Sequence, residues 1–280
     1  MASADNQGSD STGEQQPKIK LYWLNLSRSQ RIVWLLEELK VPYEIEVFHR
    51  NKRTMLAPAE LERIHPLGKS PVVTVTAAGP GAKEIVLAES GLMTQYLCEH
   101  LPEGKRLMPK KWREGMEGKI GGETDAWMRY EYLLHYAEGS LMPVLVISLI
   151  MSRLKSTDVP FFIRPITGAA ANRVMALFVL PNAVKHMRLI DDMLATSGGR
   201  YLCGDELTAA DILMSFPLLA GRERWDEMGK WGGGATSAAG TWAEAFPRIV
   251  EYTARLEKEE GYRRSIERIE AVDGKFEASL

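Results

Sequence analysis

Four short stretches hold the side chains whose type and spacing can do chemistry. Ser27 stands where a strand-like run, Lys18-Ile-Lys-Leu-Tyr-Trp-Leu24, gives way to a helix-like one. Ser27-x-x-Gln30 matches a capping box, in which the hydroxyl accepts a backbone N–H of the first turn. In the same place a serine proton can instead stabilise an anion, such as a thiolate, with help from the helix N-terminus. The residues alone leave both roles open. Glu89-Ser90 joins another strand to another helix; the acid and hydroxyl can hold an α-amino and an α-carboxylate group, although Ser90 by itself is an ordinary cap. Ile64-His-Pro-Leu-Gly-Lys-Ser-Pro-Val-Val73 is a loop fixed by Pro66, Gly68 and Pro71 that runs into a β-branched strand. A cis Ser70-Pro71 bond would aim the Ser70 peptide groups at an extended partner, a trans one would make a plain loop, and local sequence does not choose. Lys69 can pair with a carboxylate or face solvent. Thr208-Ala-Ala-Asp211 is a capping signature, and its part is structural.

The elements that must position these groups follow from periodicity. Residues 18–24 read as a strand, and Ile32, Leu35, Leu36 and Leu39 fall at helical spacing. Pro42 ends that helix, and Tyr43, Ile45 and Val47 alternate with acids as a second strand, so the unit is strand–helix–strand with a parallel pair. Residues 72–76 and 84–87 form a hairpin about Gly79-Pro-Gly81, and a helix over 90–101 closes the unit. Beyond Pro102 the strand signal ends, and segments 123–153, 167–196, 209–221 and 246–269 carry helical spacing. Tyr130, Tyr132 and Tyr136 read chiefly as core or interface. Two glycine-rich stretches, 115–122 and 229–240, read as insertions, the second as a mobile loop.

Composition narrows the function classes. The chain of 280 residues carries a formal charge of −2, which gives no electrostatic case for nucleic acid or an anionic membrane. Its two cysteines, Cys98 and Cys203, match no CxxC or metal-ligand spacing, so the expectation is a reducing compartment and no metal. Residues 1–17 are polar, lack the apolar core of a secretory signal and read as a disordered tail. The longest apolar run, Leu141 to Met151, is interrupted by Pro143 and is about half the roughly 20 residues a bilayer span needs, so no transmembrane segment is expected.

Together these stretches resemble the cytosolic-type glutathione transferases, from about Lys18 to Ile269. The resemblance rests on Ser27-Arg-Ser-Gln-Arg-Ile-Val-Trp-Leu-Leu-Glu-Glu-Leu39, His65-Pro-Leu-Gly-Lys-Ser-Pro71, Leu87-Ala-Glu-Ser-Gly91 and Leu207-Thr-Ala-Ala-Asp-Ile-Leu-Met-Ser-Phe-Pro217. Each is weak alone; four in the family's order and spacing are strong. Tyr136-Ala-Glu-Gly-Ser-Leu-Met-Pro143 and Asp211-Ile-Leu-Met-Ser-Phe-Pro217 are similar to a fungal branch of the family. The resemblance implies an α/β thioredoxin-like N-terminal domain (βαβ-ββα) followed by an all-α domain. It divides the chain into a tail (1–17), a glutathione-binding domain (18–103), a linker (104–114) and a helical domain (115–280).

The resemblance also implies roles. Ser70-Pro71 matches the family's cis-proline loop, where the residue before proline pairs by its backbone with the cysteinyl part of glutathione. Glu89 and Ser90 match the grip on the γ-glutamyl end, and Lys69 matches a position that reaches the glycine carboxylate. Ser27 matches the serine that stabilises the glutathione thiolate. Lowering a thiol pKa of about 8.5 by about two units takes roughly 2.7 kcal/mol, within reach of one charge-assisted hydrogen bond and a helix N-terminus. Relatives that use asparagine near the thiol make Asn25 a rival. The usual basic residue for the glycine carboxylate is missing from the variable stretch, where Arg53 serves only if its loop bends inward. Tyr136 and Ser140 are candidates for the electrophile pocket.

The implied activity is conjugation of glutathione, the co-substrate, to small hydrophobic electrophiles, with reduction of organic hydroperoxides as a second activity. The alternative is a non-catalytic ligand carrier or protein-interaction module of the same fold. A glutaredoxin-like reductase is excluded, because no cysteine follows the first strand. Analogy implies a homodimer, in the cytoplasm or at the ER surface.

Overall fold

Alternation of polar and apolar residues builds the first strand, β1 (Lys18–Leu24), with Ile19, Leu21 and Trp23 buried. The computed structural model describes residues 16–232 and 240–277. Residues 1–15, read above as most of a tail, and 233–239 of the second glycine-rich loop lie outside the described residues. Helix α1 (Ser29–Leu39) ends at Lys40, which takes a left-handed φ of +52° just ahead of Pro42, and leads to β2 (Glu44–Phe48). β2 runs parallel to β1 with Lys20 opposite Glu44. β3 (Val72–Thr76) lies antiparallel on the other side of β1, Tyr22 opposite Val72, and β4 (Glu84–Leu87) pairs antiparallel with β3. The sheet order is β2-β1-β3-β4, and α2 (Ser90–His100) closes a thioredoxin-like unit.

The rest is helical. α3 (Asp125–Tyr136) passes through one π turn (Ala137–Leu141) into α4 (Met142–Arg153). Pro143, which interrupts the apolar run, leaves the helix expected over 123–153 intact. It sits just past the π turn, where a missing N–H is tolerated, and the helix runs unbroken for 29 residues. By length and composition that helix could cross a membrane, but half of its most apolar window is buried inside the fold. α5 (Arg164–Val174) joins α6 (Leu180–Thr196) through a second π turn, and α7 (Ala209–Leu219) is buried along its whole length. The Thr208–Asp211 capping box forms at its head. α8 (Arg222–Glu227) and α9 (Trp242–Ala245) are short. The helix expected over 246–269 is instead two, α10 (Pro247–Leu256) and α11 (Glu260–Asp273), separated at 257–259. The first glycine-rich stretch is an ordered turn, bridged between Trp112 and Glu123 and tied by Arg113 N–H to the Gly122 carbonyl at 2.9 Å.

Helix α1 joins the two parts. Its spacing marks one apolar stripe, yet Arg31, Val33 and Trp34 are also buried, because α7 and α11 pack on the side the sheet leaves free. The approach is close: a Cβ on Gly261 of α11 would run into the Glu38 carboxylate of α1, and that carboxylate would have to shift from its bonds to Trp34 and Arg106.

Candidate active site

The turn from β1 into α1 does not form the capping box its spacing matches. α1 starts at Ser29 with Arg28 in the cap position and no side-chain cap, so Gln30 sits one turn position too early to reach back to Ser27. The Ser27 hydroxyl donates to the Leu24 carbonyl (2.6 Å) and accepts the Ser29 backbone N–H (3.2 Å). It is half-buried at the mouth of a cleft between the sheet unit and the helical part. Leu26 and Ala57 line that cleft on one side, and Val146 and Leu149 of α4 with Phe216 of α7 line the other.

A second cleft adjoins the first, and Arg28, Lys69 and Ser70 line both. The structure brings Lys69, Ser70, Pro71, Glu89 and Ser90 together around it, joined by His65 and Glu138. The Ser70–Pro71 bond is cis. Among the described residues the Ser70 peptide N–H and C=O carry no backbone hydrogen bond, while its hydroxyl donates to the Tyr22 carbonyl at 2.8 Å. Glu89 holds φ +69°, a left-handed value that is uncommon for a residue with a Cβ, and its side chain stands exposed at the N-terminus of α2.

Behind these groups lies an ion cluster that local sequence did not disclose. Arg31 is fully buried; it donates to the Leu213 carbonyl (2.9 Å) and to Ser90 Oγ (3.1 Å), and pairs with Glu138. Glu138 also pairs with Arg28 at 3.0 Å. Burial pulls the Arg31 guanidinium below its ordinary pKa, and Glu138 opposes that shift. The π turn after α3 carries Glu138 into this position, consistent with the tendency of π turns to occur at functional sites. Arg50 was also missed. Its guanidinium donates to the Asn25, Leu26 and Met55 carbonyls and stitches the β2–β3 connection to the end of β1.

Four candidates from the sequence stand apart from both clefts. Asn25 Oδ1 accepts the Arg50 backbone N–H at 2.7 Å, which anchors the side chain to the loop, and Asn25 lines neither cleft. Arg53 sits exposed in a surface turn whose backbone folds on Asn51 Oδ1, and that turn does not bend its side chain inward to either cleft. Tyr136 is buried, bonded to His186 Nδ1 at 2.7 Å and stacked on Tyr132, and burial holds its phenol above the ordinary pKa. Ser140 is exposed on the π turn and lines neither cleft, and none of the described residues of the two glycine-rich stretches lines them.

Residues 27–100 match the family model described as "Glutathione S-transferase, N-terminal domain". The chain is 33 % identical over 260 residues to Glutathione S-transferase 1 of Saccharomyces cerevisiae, covering 93 % of this chain and 99 % of that one. It is also 33 % identical over 203 residues to Glutathione S-transferase 3 of Schizosaccharomyces pombe, covering 72 % and 74 %. Among solved structures, a glutathione S-transferase from Actinobacillus pleuropneumoniae aligns with a TM-score of 0.60 at 26 % identity, covering 89 % and 92 %. A glutathione transferase homologue from Lodderomyces elongisporus, solved with two GSH per subunit, shares the fold at TM-score 0.60 and 16 % identity, covering 90 % and 98 %.

Proposed function

This chain belongs to the glutathione S-transferase family, and on that premise we propose that glutathione lies along the cleft between Glu89 and Lys69 with its sulfur at Ser27. One observation carries this reading. A cleft lined by Glu89, Ser90, Lys69 and Ser70, whose peptide groups carry no backbone hydrogen bond among the described residues, adjoins a largely apolar cleft that Ser27 lines. A tripeptide with a zwitterionic γ-glutamyl end, a central N–H and C=O, and a terminal carboxylate has the matching sequence of charges. Glu89 takes the ammonium. Ser90, whose oxygen already accepts from Arg31, donates its proton to the adjacent carboxylate together with the first N–H groups of α2. Lys69, exposed and with no ion pair among the described residues, takes the glycine carboxylate.

The Ser27 proton is directed at the Leu24 carbonyl. A thiolate beside Ser27 is a stronger acceptor than a neutral carbonyl, so the hydroxyl turns to the sulfur. The α1 N-terminus adds partial positive charge, and the thiolate then attacks an electrophile held against Leu26, Val146, Leu149 and Phe216, forming the S–C bond as the leaving group departs. Ser27 stabilises the nucleophile and does not itself become bonded. Ser27 lines the apolar cleft, whereas Asn25 is anchored to the Arg50 backbone and lines neither cleft, which supports Ser27 over Asn25.

Glutathione titration by calorimetry tests the grip. Glu89→Ala and Ser90→Ala are each expected to weaken binding about tenfold to a hundredfold, the range for losing a charged hydrogen bond. Normal binding by both variants would refute it. For assembly, Ile85, Val86, Leu92, Met128 and Tyr132 are 41–54 % exposed on β4, α2 and α3, with α2 and α3 linked by Gln95 and Glu131. That apolar face supports a homodimer, which light scattering tests. Two buried, unbridged cysteines fit a cytoplasmic setting, and cofractionation with ER membranes would extend it to that surface.

A further inference from the structure

Three serine hydroxyls form an unbroken chain between the proposed sulfur position and the cis-proline loop. Ser27 Oγ lies 2.8 Å from Ser29 Oγ, which lies 2.6 Å from Ser70 Oγ. Each end rests on a backbone carbonyl, Leu24 at 2.6 Å from Ser27 and Tyr22 at 2.8 Å from Ser70. Carbonyl oxygens only accept. Three hydroxyls therefore bring three protons to four contacts, and one oxygen–oxygen contact has none. With the end serines donating outward, the single Ser29 proton has two acceptors to serve. Ser29 is fully buried, so bulk water does not relieve the shortage.

An anion at Ser27 decides which way the Ser29 proton points. We propose that Ser29 is a positioning residue that strengthens the Ser27 hydrogen bond to the glutathione thiolate, a role that rests on the reading of Ser27 given above. Ser27 turns its proton from the Leu24 carbonyl to the sulfur, Ser29 donates to Ser27, and Ser70 turns from the Tyr22 carbonyl to donate to Ser29. Only hydroxyl rotors move, no proton is transferred, and all three protons now point along the chain toward the negative charge. The Ser27 oxygen accepts from both the hydroxyl and the backbone N–H of Ser29, which polarises its own O–H toward the sulfur. The Leu24 and Tyr22 carbonyls lose these hydroxyl donors, a cost that the stronger bond to a charged acceptor at Ser27 offsets. The same chain explains why the serine before Pro71 carries two tasks: its peptide groups face the ligand backbone while its hydroxyl serves the sulfur through Ser29.

The test follows the ultraviolet absorbance of bound glutathione thiolate across pH in the full chain, its Ser27→Ala and Ser29→Ala variants, and the double variant. Two upstream bonds, each adding 10–30 % to a charge-assisted bond, set the expected rise in thiol pKa for Ser29→Ala at roughly 0.3–0.9 unit, smaller than for Ser27→Ala. In the Ser27→Ala background, removal of the Ser29 hydroxyl should add nothing. Affinity for S-methylglutathione, which cannot ionise, should not change, and Ser29→Thr should restore the wild-type pKa. Ser70→Ala removes the far end of the chain independently and should shift the pKa in the same direction by about half as much. A Ser27→Ala shift with none in Ser29→Ala or Ser70→Ala overturns the proposal. A Ser29→Ala shift that persists without Ser27, or an equal loss of S-methylglutathione affinity, also overturns it by marking a merely structural role. No shift in Ser27→Ala removes the underlying reading, and the proposal with it.

Discussion

Removing the Glu138 carboxylate should cost the protein stability well before it costs chemistry. The Arg31 side chain is 0 % exposed and that of Glu138 20 % exposed, so Glu138→Ala leaves a charge in the interior that water cannot reach. Breaking a buried pair from one side costs about 3–5 kcal/mol. Arg31 keeps the Leu213 carbonyl and the Ser90 hydroxyl, which places the expected loss near the lower end, about 3 kcal/mol. Arg28 works the other way, since without Glu138 two guanidinium groups face each other unscreened. For a chain of this size about 3 kcal/mol lowers Tm by roughly 6–12 °C. Thermal and urea unfolding at fixed protein concentration measure it, because any dimer makes stability depend on concentration. Arg31→Met combined with Glu138→Leu should recover most of the loss, as apolar packing replaces a buried pair at little cost. A Glu138→Ala variant as stable as the wild type would refute the assignment of this cluster as a strut between α1, α7 and the π turn.

Asp211 accepts four hydrogen bonds in the core, from the Leu202 and Thr208 backbone N–H groups and from the Thr208 and Tyr252 hydroxyls. Asp211→Ala is therefore expected to lose at least about 3 kcal/mol in urea unfolding, given about 1–3 kcal/mol for each buried donor left unmatched; a loss below 1 kcal/mol would contradict that role. Asn25→Ala should lower stability through the loosened Arg50 loop yet leave the bound thiol pKa unchanged, and a raised pKa would move the thiolate role to Asn25. Burial pushes the Cys98 thiol up to about 12 and also raises Cys203, so both thiols of the native chain should resist an aromatic disulfide reagent at pH 8 and react on unfolding. Rapid reaction of either one in the native state would show that the site opens.

The groups proposed to hold glutathione were legible because each stands at a punctuated junction. Pro66, Gly68 and Pro71 fix the loop that carries Lys69 and Ser70, and Glu89-Ser90 marks a helix start. Strand limits were equally legible where β-branched or alternating runs end in turn residues, as at 72–76 and 84–87. Contacts made across the two parts of the fold were not. Arg31 meets Glu138 over 107 residues of sequence, and Ser29 meets Ser70 over 41. Local periodicity carries no information at that range. The same limit hid the second buried face of α1, whose partners α7 and α11 come more than 170 residues later. The helix over 123–153 was legible despite Pro143: a proline ends an α-helix only where its N–H and ring conflict with the preceding turn, and the π turn removes the conflict. Tyr136 lies on the segment similar to the family's fungal branch, yet one helical position decides whether a side chain faces a cleft or the core, and its partner His186 was not visible from α3 alone.

The central claim is that this cleft binds glutathione and Ser27 makes its thiolate. The most direct measurement titrates glutathione into wild-type and Ser27→Ala protein while recording thiolate absorbance from pH 5 to 9. The expected result is a thiolate that appears below neutrality in the wild type and at higher pH in the variant, with similar affinity in both. Glutathione that binds without forming a thiolate, or a variant that titrates like the wild type, would contradict it.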